Sequence, residues 1–371
     1  MRTRNIAALL CTATLLLTLA GCGAKEPTDP GADTVPQGAE TSLAETTETT
    51  APPFVPTGNV NPLTGLCDGI VDAALESRPV AIMVSNSYDS LPQWGVSQAD
   101  IIYEMLAEGR ITRLLCLFQD PSKIEALASV RSARPYFIDI AQSYGAVYMH
   151  FGGSVPAYEA IAARKDLISI DGIRGNWEGT LFLRDPERRK TIGLEHSVYT
   201  DGAKIEAALP KLKADLSLSG APSAFTFGEA PSSASGTAAN HIGLMFGERN
   251  KPYFEYNAEN GTYLRYQYGD PHMDAKQQKQ IEVRNLFVLR METSDVPNNA
   301  LHLVTVKTTG TGTGYYFCDG KMVDISWKKD SYNSPITFMT ADGAELIIAR
   351  GQSFISCITT TAPLEIDGIK Y

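Results

Sequence analysis

Cysteine, histidine and positive charge are all scarce in this 371-residue chain, which carries six cysteines, five histidines and 32 lysines and arginines against 42 aspartates and glutamates. Cys11 lies in an apolar leader and Cys22 ends it, leaving Cys67, Cys116, Cys318 and Cys357, none in a C-x-x-C or a Cys/His cluster. That excludes the usual zinc and thioredoxin-type arrangements. Cys116 and Cys357 sit in apolar, strand-like runs and are expected to be buried; a Cys318–Cys357 disulfide stays open. The histidines are separated from each other and from carboxylates at ligand spacing, so no metal and no cofactor is expected. Asp171-Gly172 and Asp201-Gly202 read as turns rather than calcium loops. Net charge is −10, and −12 once Arg2 and Arg4 are discounted (−10 − 2), which argues against nucleic acid and against polybasic lipid binding. A membrane span would need roughly 20 apolar residues, and no run reaches that length.

What is present begins with that leader. Two arginines, about fourteen mostly apolar residues and Leu19-Ala20-Gly21-Cys22 form a secretory signal ending in a bacterial lipobox. Residues 1–21 are read as a lipoprotein signal peptide and Cys22 as a diacylglyceryl-modified first residue. The expected location is the outer face of the cytoplasmic membrane. Residues 22–58 are a Thr/Pro/Glu-rich linker that cannot bury a core, with an r.m.s. reach of roughly 30–36 Å.

The rest is expected to be α+β: a layered α/β domain with mixed sheets and helices over 59–209, a small-residue linker over 210–235, and a β-rich domain over 236–371. Arg78 to Ser85 reads as a buried strand. Two β-rich runs flank Glu108-Gly109 and predict a central hairpin. A two-residue loop pairs Leu106 with Ile111, Met105 with Thr112 and Glu104 with Arg113, making Glu104 and Arg113 a structural ion pair. A helix follows through Pro135 to Tyr144, then a strand Ala146 to Phe151, the turn Gly152-Gly153-Ser154 and a helix from Val155. Beyond residue 235, short strands recur every 8–12 residues, with hairpin turns at Asp319-Gly320 and Asp342-Gly343.

The runs R-P-V-A-I-M-V-S-N, P-Q-W-G-V-S-Q-A-D-I-I-Y-E-M-L-A-E-G, V-R-S-A-R-P-Y-F-I-D-I-A and H-F-G-G-S, with G-T-G-T-G-Y-Y-F-C-D-G-K-M-V-D-I-S-W-K-K later on, resemble the YerB-like lipoprotein family. The resemblance spans about Asn61 to Cys357. It implies an extracytoplasmic lipoprotein of Gram-positive-type bacteria made of two adjacent domains of unknown function. It brings no catalytic residues. Glu195-His196-Ser197 stands where the family tends to read Pro-His-Asn, which puts in doubt any role for an amide at 197.

Four constellations carry chemistry. Arg131 and Arg134 around Ser132, at a helix start, favour an anion, either an internal carboxylate (Glu104, Glu108 or Asp139) or a ligand. His150 and Gly152-Gly153-Ser154 form a strand-to-helix turn resembling an anion cradle. With Arg131, Ser132 and Arg134 they make the expected ligand-binding set, His150 and His196 orienting groups at its rim. A Ser/His site from Ser154 or Ser132, His150 or His196, and Glu104 or Glu108 is the hydrolase or transferase alternative. Trp94, Trp177 and Trp327 lie in polar contexts suited to sugar stacking or to packing. Together these point to a lipid-anchored binding or scaffold protein of the envelope, recognising an anionic or glycan wall component or an envelope protein.

Overall fold

The computed structural model describes residues 54–217 and 225–371; the signal, Cys22 and most of the first linker lie outside them. Apolar runs set the framework. The strands β1 (Val80–Ser85), β2 (Ile101–Leu106) and β3 (Thr112–Phe118) are buried along their whole length, as continuous apolar strands covered on both faces must be. After the helix α1 (Pro135–Ser143) come β4 (Val147–His150), the helix α2 (Val155–Ala163) and β5 (Ser169–Asp171). The second half adds β6 (Thr237–Ala238), β7 (Asn285–Met291), β8 (Gly310–Cys318), β9 (Lys321–Lys329), β10 (Thr337–Thr340) and β11 (Ser353–Thr359).

These eleven strands form one sheet, in the order β6-β9-β8-β7-β11-β2-β3-β1-β4-β5 with β10 also on β9. The late strand β11 pairs in parallel with β2 on one side and with β7 on the other. Both halves of the chain therefore share a hydrogen-bonded core. A seven-stranded sheet built around His241–Leu244, Tyr253–Asn257, Thr262–Gln267 and Leu364–Ile366 belongs wholly to the second half. The class is α+β, with an α/β first half and a β-dominated second. At the β8–β9 hairpin, Asp319 and Gly320 both take positive φ (55° and 70°), which the Asp-Gly pair favours. The four described cysteines are free, and Cys318 and Cys357 are buried without forming a disulfide.

The expected Glu104–Arg113 pair does not form. The observed register opposes Leu106 to Thr112, Met105 to Arg113 and Glu104 to Leu114. The connection is longer than two residues: Gly109 and Arg110 both take positive φ, and the Ala107 N–H donates to the Ile111 carbonyl at 2.8 Å. One residue of slip sends the two side chains to opposite faces.

Glu104, fully buried, instead meets Arg265 from the second sheet at 2.9 Å. Its Oε1 also accepts from Asn86 Nδ2 (2.9 Å) and Thr112 Oγ1 (2.8 Å), and its Oε2 from Ser356 Oγ (3.3 Å). Arg265 Nε donates to His272 Nδ1 at 3.0 Å, so His272 Nε2 carries the proton it donates to Gln93. Gln93 Nε2 returns to Ser85 O (2.8 Å) and Asn86 Oδ1 (3.0 Å). Burial beside the Arg265 cation holds His272 well below its usual range, hence neutral. This chain of bonds ties Asn86 and Gln93, on the loop after β1, to His272 in the second half.

Candidate functional site

Strands β1, β4 and β5 run parallel, so their carboxyl ends and the loops that follow share one edge, the place where open α/β sheets gather ligand groups. The segment Leu127–Ala133 crosses that edge, bridging Val84 through Val130 and Gly153 through Ala133. The Arg131 N–H donates to Met83 O at 2.9 Å, and Phe151 N–H donates to Arg131 O at 3.0 Å. Arg131, Ser132, Arg134, His150, Gly152, Gly153 and Ser154 are thus brought to one neighbourhood, as the sequence set requires. Gly152 has φ +79° and lies close enough to Ile173 that a Cβ would come within 3.0 Å of it, which reserves the position for glycine.

The charges at this edge are already partnered inside the chain. Glu108 bridges Arg113 and Arg134, one oxygen to each. Arg113 Nη1 also donates to Ser132 O (2.6 Å) and Arg134 Nη1 to Ala133 O (2.7 Å). Burial and the neighbouring Arg134 push Arg113 down to about 9. Burial acts to raise the Glu108 carboxyl, but Arg113 and Arg134 together outweigh it and hold the group below its usual range. Arg134 is therefore a brace for the hairpin. Arg131 pairs with Glu195 and donates to its carbonyl at 3.2 Å, and the hydrogen bond and charge of Arg131 lower the Glu195 carboxyl.

Among the described residues the histidines and serines do not come together as the alternative Ser/His site would require. His150 is fully buried; Nδ1 donates to Gly152 O (2.7 Å) and Nε2 accepts from Ser169 Oγ (3.0 Å). Burial lowers its basicity. Ser154 caps α2, accepting from Ala157 N at 3.3 Å, so its hydroxyl serves the helix. Ser169, His150 and Asp171 do lie next to one another, a grouping that no local motif marks. Yet His150 Nδ1 stands 3.9 Å from Asp171 Oδ1, whose oxygen accepts the Gly152 and Ile173 amides at 2.9 Å. The third hydrogen bond of a triad is not made. His196 is half-buried, its Nδ1 without a partner among the described residues; burial and Arg131 lower it, while Glu195 and Asp89 act in the opposite sense. Trp327 is buried, and its Nε1 donates to Arg290 O at 3.2 Å. Trp94 is covered by the Arg188 and Lys276 cations at 4.8 and 4.5 Å.

Beside this edge lies a cleft of about 730 Å³ between the loop after β1 and the hairpin that follows Thr262–Gln267. Tyr88, Asp89 and Pro92 form one wall, Tyr268, Asp270 and Met273 the other, with Ile192 also lining it. Tyr88 is 68% exposed and meets Tyr268 edge to face at 5.4 Å. Tyr268 donates its hydroxyl to Asn86 O at 3.2 Å. The buried Glu104–Arg265 network runs between the bases of both walls, through Asn86 and Gln93 on one side and His272 on the other. None of the cleft residues figured in the sequence-derived set. The available signal was an aromatic next to a carboxylate on two turns, Tyr88-Asp89 and Tyr268-Gly269-Asp270, which gains meaning only once the fold brings them together.

A shared central sheet with a ligand-sized cleft between elements of both halves defines a two-part protein with a candidate binding site. Residues 63–215 match the family described as "Protein of unknown function (DUF3048) N-terminal domain", and residues 242–355 match its C-terminal domain. The chain belongs to this YerB-like family. It is 28% identical over 303 residues to "Putative lipoprotein YerB" of Bacillus subtilis (strain 168), covering 80% of this chain and 85% of that protein. The crystal structure of the YerB protein from Bacillus subtilis aligns with a TM-score of 0.69 at 25% identity, over 83% of this chain and 99% of that one.

Proposed function

We propose that the protein is anchored by a lipid on Cys22 to the outer face of the cytoplasmic membrane and binds, without catalysis, a glycan component of the cell wall through the cleft. The anchor reading is supported by Leu19-Ala20-Gly21-Cys22 and by the relative's printed name. The observation that carries the ligand reading is the pairing of an exposed tyrosine edge, Tyr88 against Tyr268, with the carboxylates Asp89 and Asp270 in one cleft. Tyrosine offers an apolar ring to a sugar face and a polar tip to water, and carboxylates accept from sugar hydroxyls. The same carboxylates disfavour a uniformly anionic polymer at the cleft walls, which selects the glycan from the wall components otherwise compatible with the location.

Calorimetric titration of the full chain in detergent micelles with the N-acetylglucosamine tetramer tests this. Tyr88→Ala is expected to weaken binding by up to about tenfold, in line with the roughly 0.5–1.5 kcal/mol that a well-placed aromatic contact contributes. Equal affinity of wild type and variant, or no binding by either, removes the glycan reading. Cell fractionation tests the anchor: Cys22→Ala is expected to move the protein out of the membrane fraction, and unchanged membrane retention contradicts lipidation at that residue.

A further inference from the structure

Three guanidiniums, those of Arg113, Arg131 and Arg134, face two glutamates, Glu108 and Glu195. The two glutamates are held differently. Glu108 is 23% exposed and is clamped by two arginines, one of them almost fully buried. The Glu195 side chain is 67% exposed, stands on the single turn Leu194–His196, and faces Arg131 alone. Arg131 is the fixed member: its side chain is 16% exposed and its backbone is bonded to Met83 of β1 and to Phe151 just beyond β4. Glu195 meets Nη2 with its carboxylate and Nη1 with its carbonyl. Arg131 Nε and His196 Nδ1 are both buried with no partner among the described residues. Arg188 donates to the His196 carbonyl at 3.3 Å and to the carbonyl of Pro92 on the cleft wall at 2.8 Å, which places this corner beside the cleft.

We propose that Arg131 and His196 form an oxyanion subsite of the cleft, filled in this structure by the Glu195 carboxylate, from which a carboxylate or phosphate on an incoming sugar displaces it. The exchange is favourable on geometric grounds. An external oxyanion that reaches Nε and Nη2 together makes the bidentate contact for which arginine is shaped, whereas Glu195 reaches Nη2 and leaves Nε unused. An exposed carboxylate gives up little when it leaves, because surface ion pairs contribute little. The proposal rests on the glycan reading of the cleft and deepens it, since it makes an acidic substituent on the sugar the determinant of specificity.

The test is titration of the full chain in detergent micelles with three probes: N-acetylglucosamine, N-acetylmuramic acid and N-acetylglucosamine 6-phosphate. Glu195→Ala is expected to bind at least one acidic sugar about two- to fivefold more tightly than wild type, with affinity for the neutral sugar unchanged; the preferred probe identifies carboxylate or phosphate as the source. Arg131→Ala is expected to lose the preference for acidic over neutral sugar while its thermal unfolding stays near wild type. Unchanged or weaker binding of both acidic probes by Glu195→Ala overturns the proposal. That failure is distinct from failure of the glycan reading, which is decided by Tyr88→Ala and the neutral tetramer.

Discussion

Glu104→Ala is expected to lower the free energy of unfolding by about 3–5 kcal/mol, the usual cost of leaving one partner of a buried pair uncompensated. Arg265 would keep its charge among Phe254 and Phe354, whose rings lie 5.2 and 4.6 Å from the guanidinium, with the carboxylate that meets it at 2.9 Å removed. Asn86 and Thr112 would each lose an acceptor. The double variant Glu104→Leu with Arg265→Met is expected to recover most of the loss, because well-packed apolar replacement of a buried pair is often neutral or better. Urea denaturation of the three proteins measures this. A single-variant loss under about 1 kcal/mol would show that the pair does not hold the two halves. The same network runs between the bases of the cleft walls, so Glu104→Ala is expected to weaken glycan binding even where the protein stays folded.

The second large effect is at Glu108. Glu108→Gln removes the one carboxylate shared by Arg113 and Arg134, and a loss of about 3 kcal/mol or more is expected on the same grounds. Arg131→Ala, at the more exposed pair, is expected to cost under about 1 kcal/mol. The contrast separates a brace from a displaceable contact, and equal losses would contradict it. The pH dependence carries a sign. The Glu108 carboxyl is depressed below its ordinary value by Arg113 and Arg134, so its contribution is present above that ordinary value and is lost as pH falls through the lower folded value. Wild-type stability is therefore expected to decline below about pH 4.5 more steeply than that of Glu108→Gln, in denaturation midpoints recorded across pH.

The apolar runs of β1, β2 and β3 announce themselves because strands covered on both faces need continuous hydrophobicity, and the turn at Asp319-Gly320 follows from its positive φ requirement. The hairpin between β2 and β3 shows where such reading ends. Glu108-Gly109 marks a turn, but the left-handed Arg110 lengthens the connection, and the resulting one-residue shift sends Glu104 to Arg265, 161 positions away. No local pattern encodes a partner at that distance. The Arg131/Arg134 neighbourhood was legible as an anion-seeking edge because arginines at a helix start have few other uses. Its split into a braced arginine with Glu108 and an edge arginine with Glu195 depends on burial, which sequence does not supply. The cleft was invisible for the same reason: Tyr88 and Tyr268 become neighbours only through the packing of the two halves.

The cleft between Tyr88 and Tyr268 is the proposed meeting point of this protein with a sugar. A crystal structure of the chain soaked with the N-acetylglucosamine tetramer tests it most directly. A sugar ring is expected against Tyr88, with hydroxyls within about 3 Å of the carboxylates of Asp89 or Asp270. A tetramer bound at another surface, with the Tyr88–Tyr268 cleft empty in the same crystal, would contradict it.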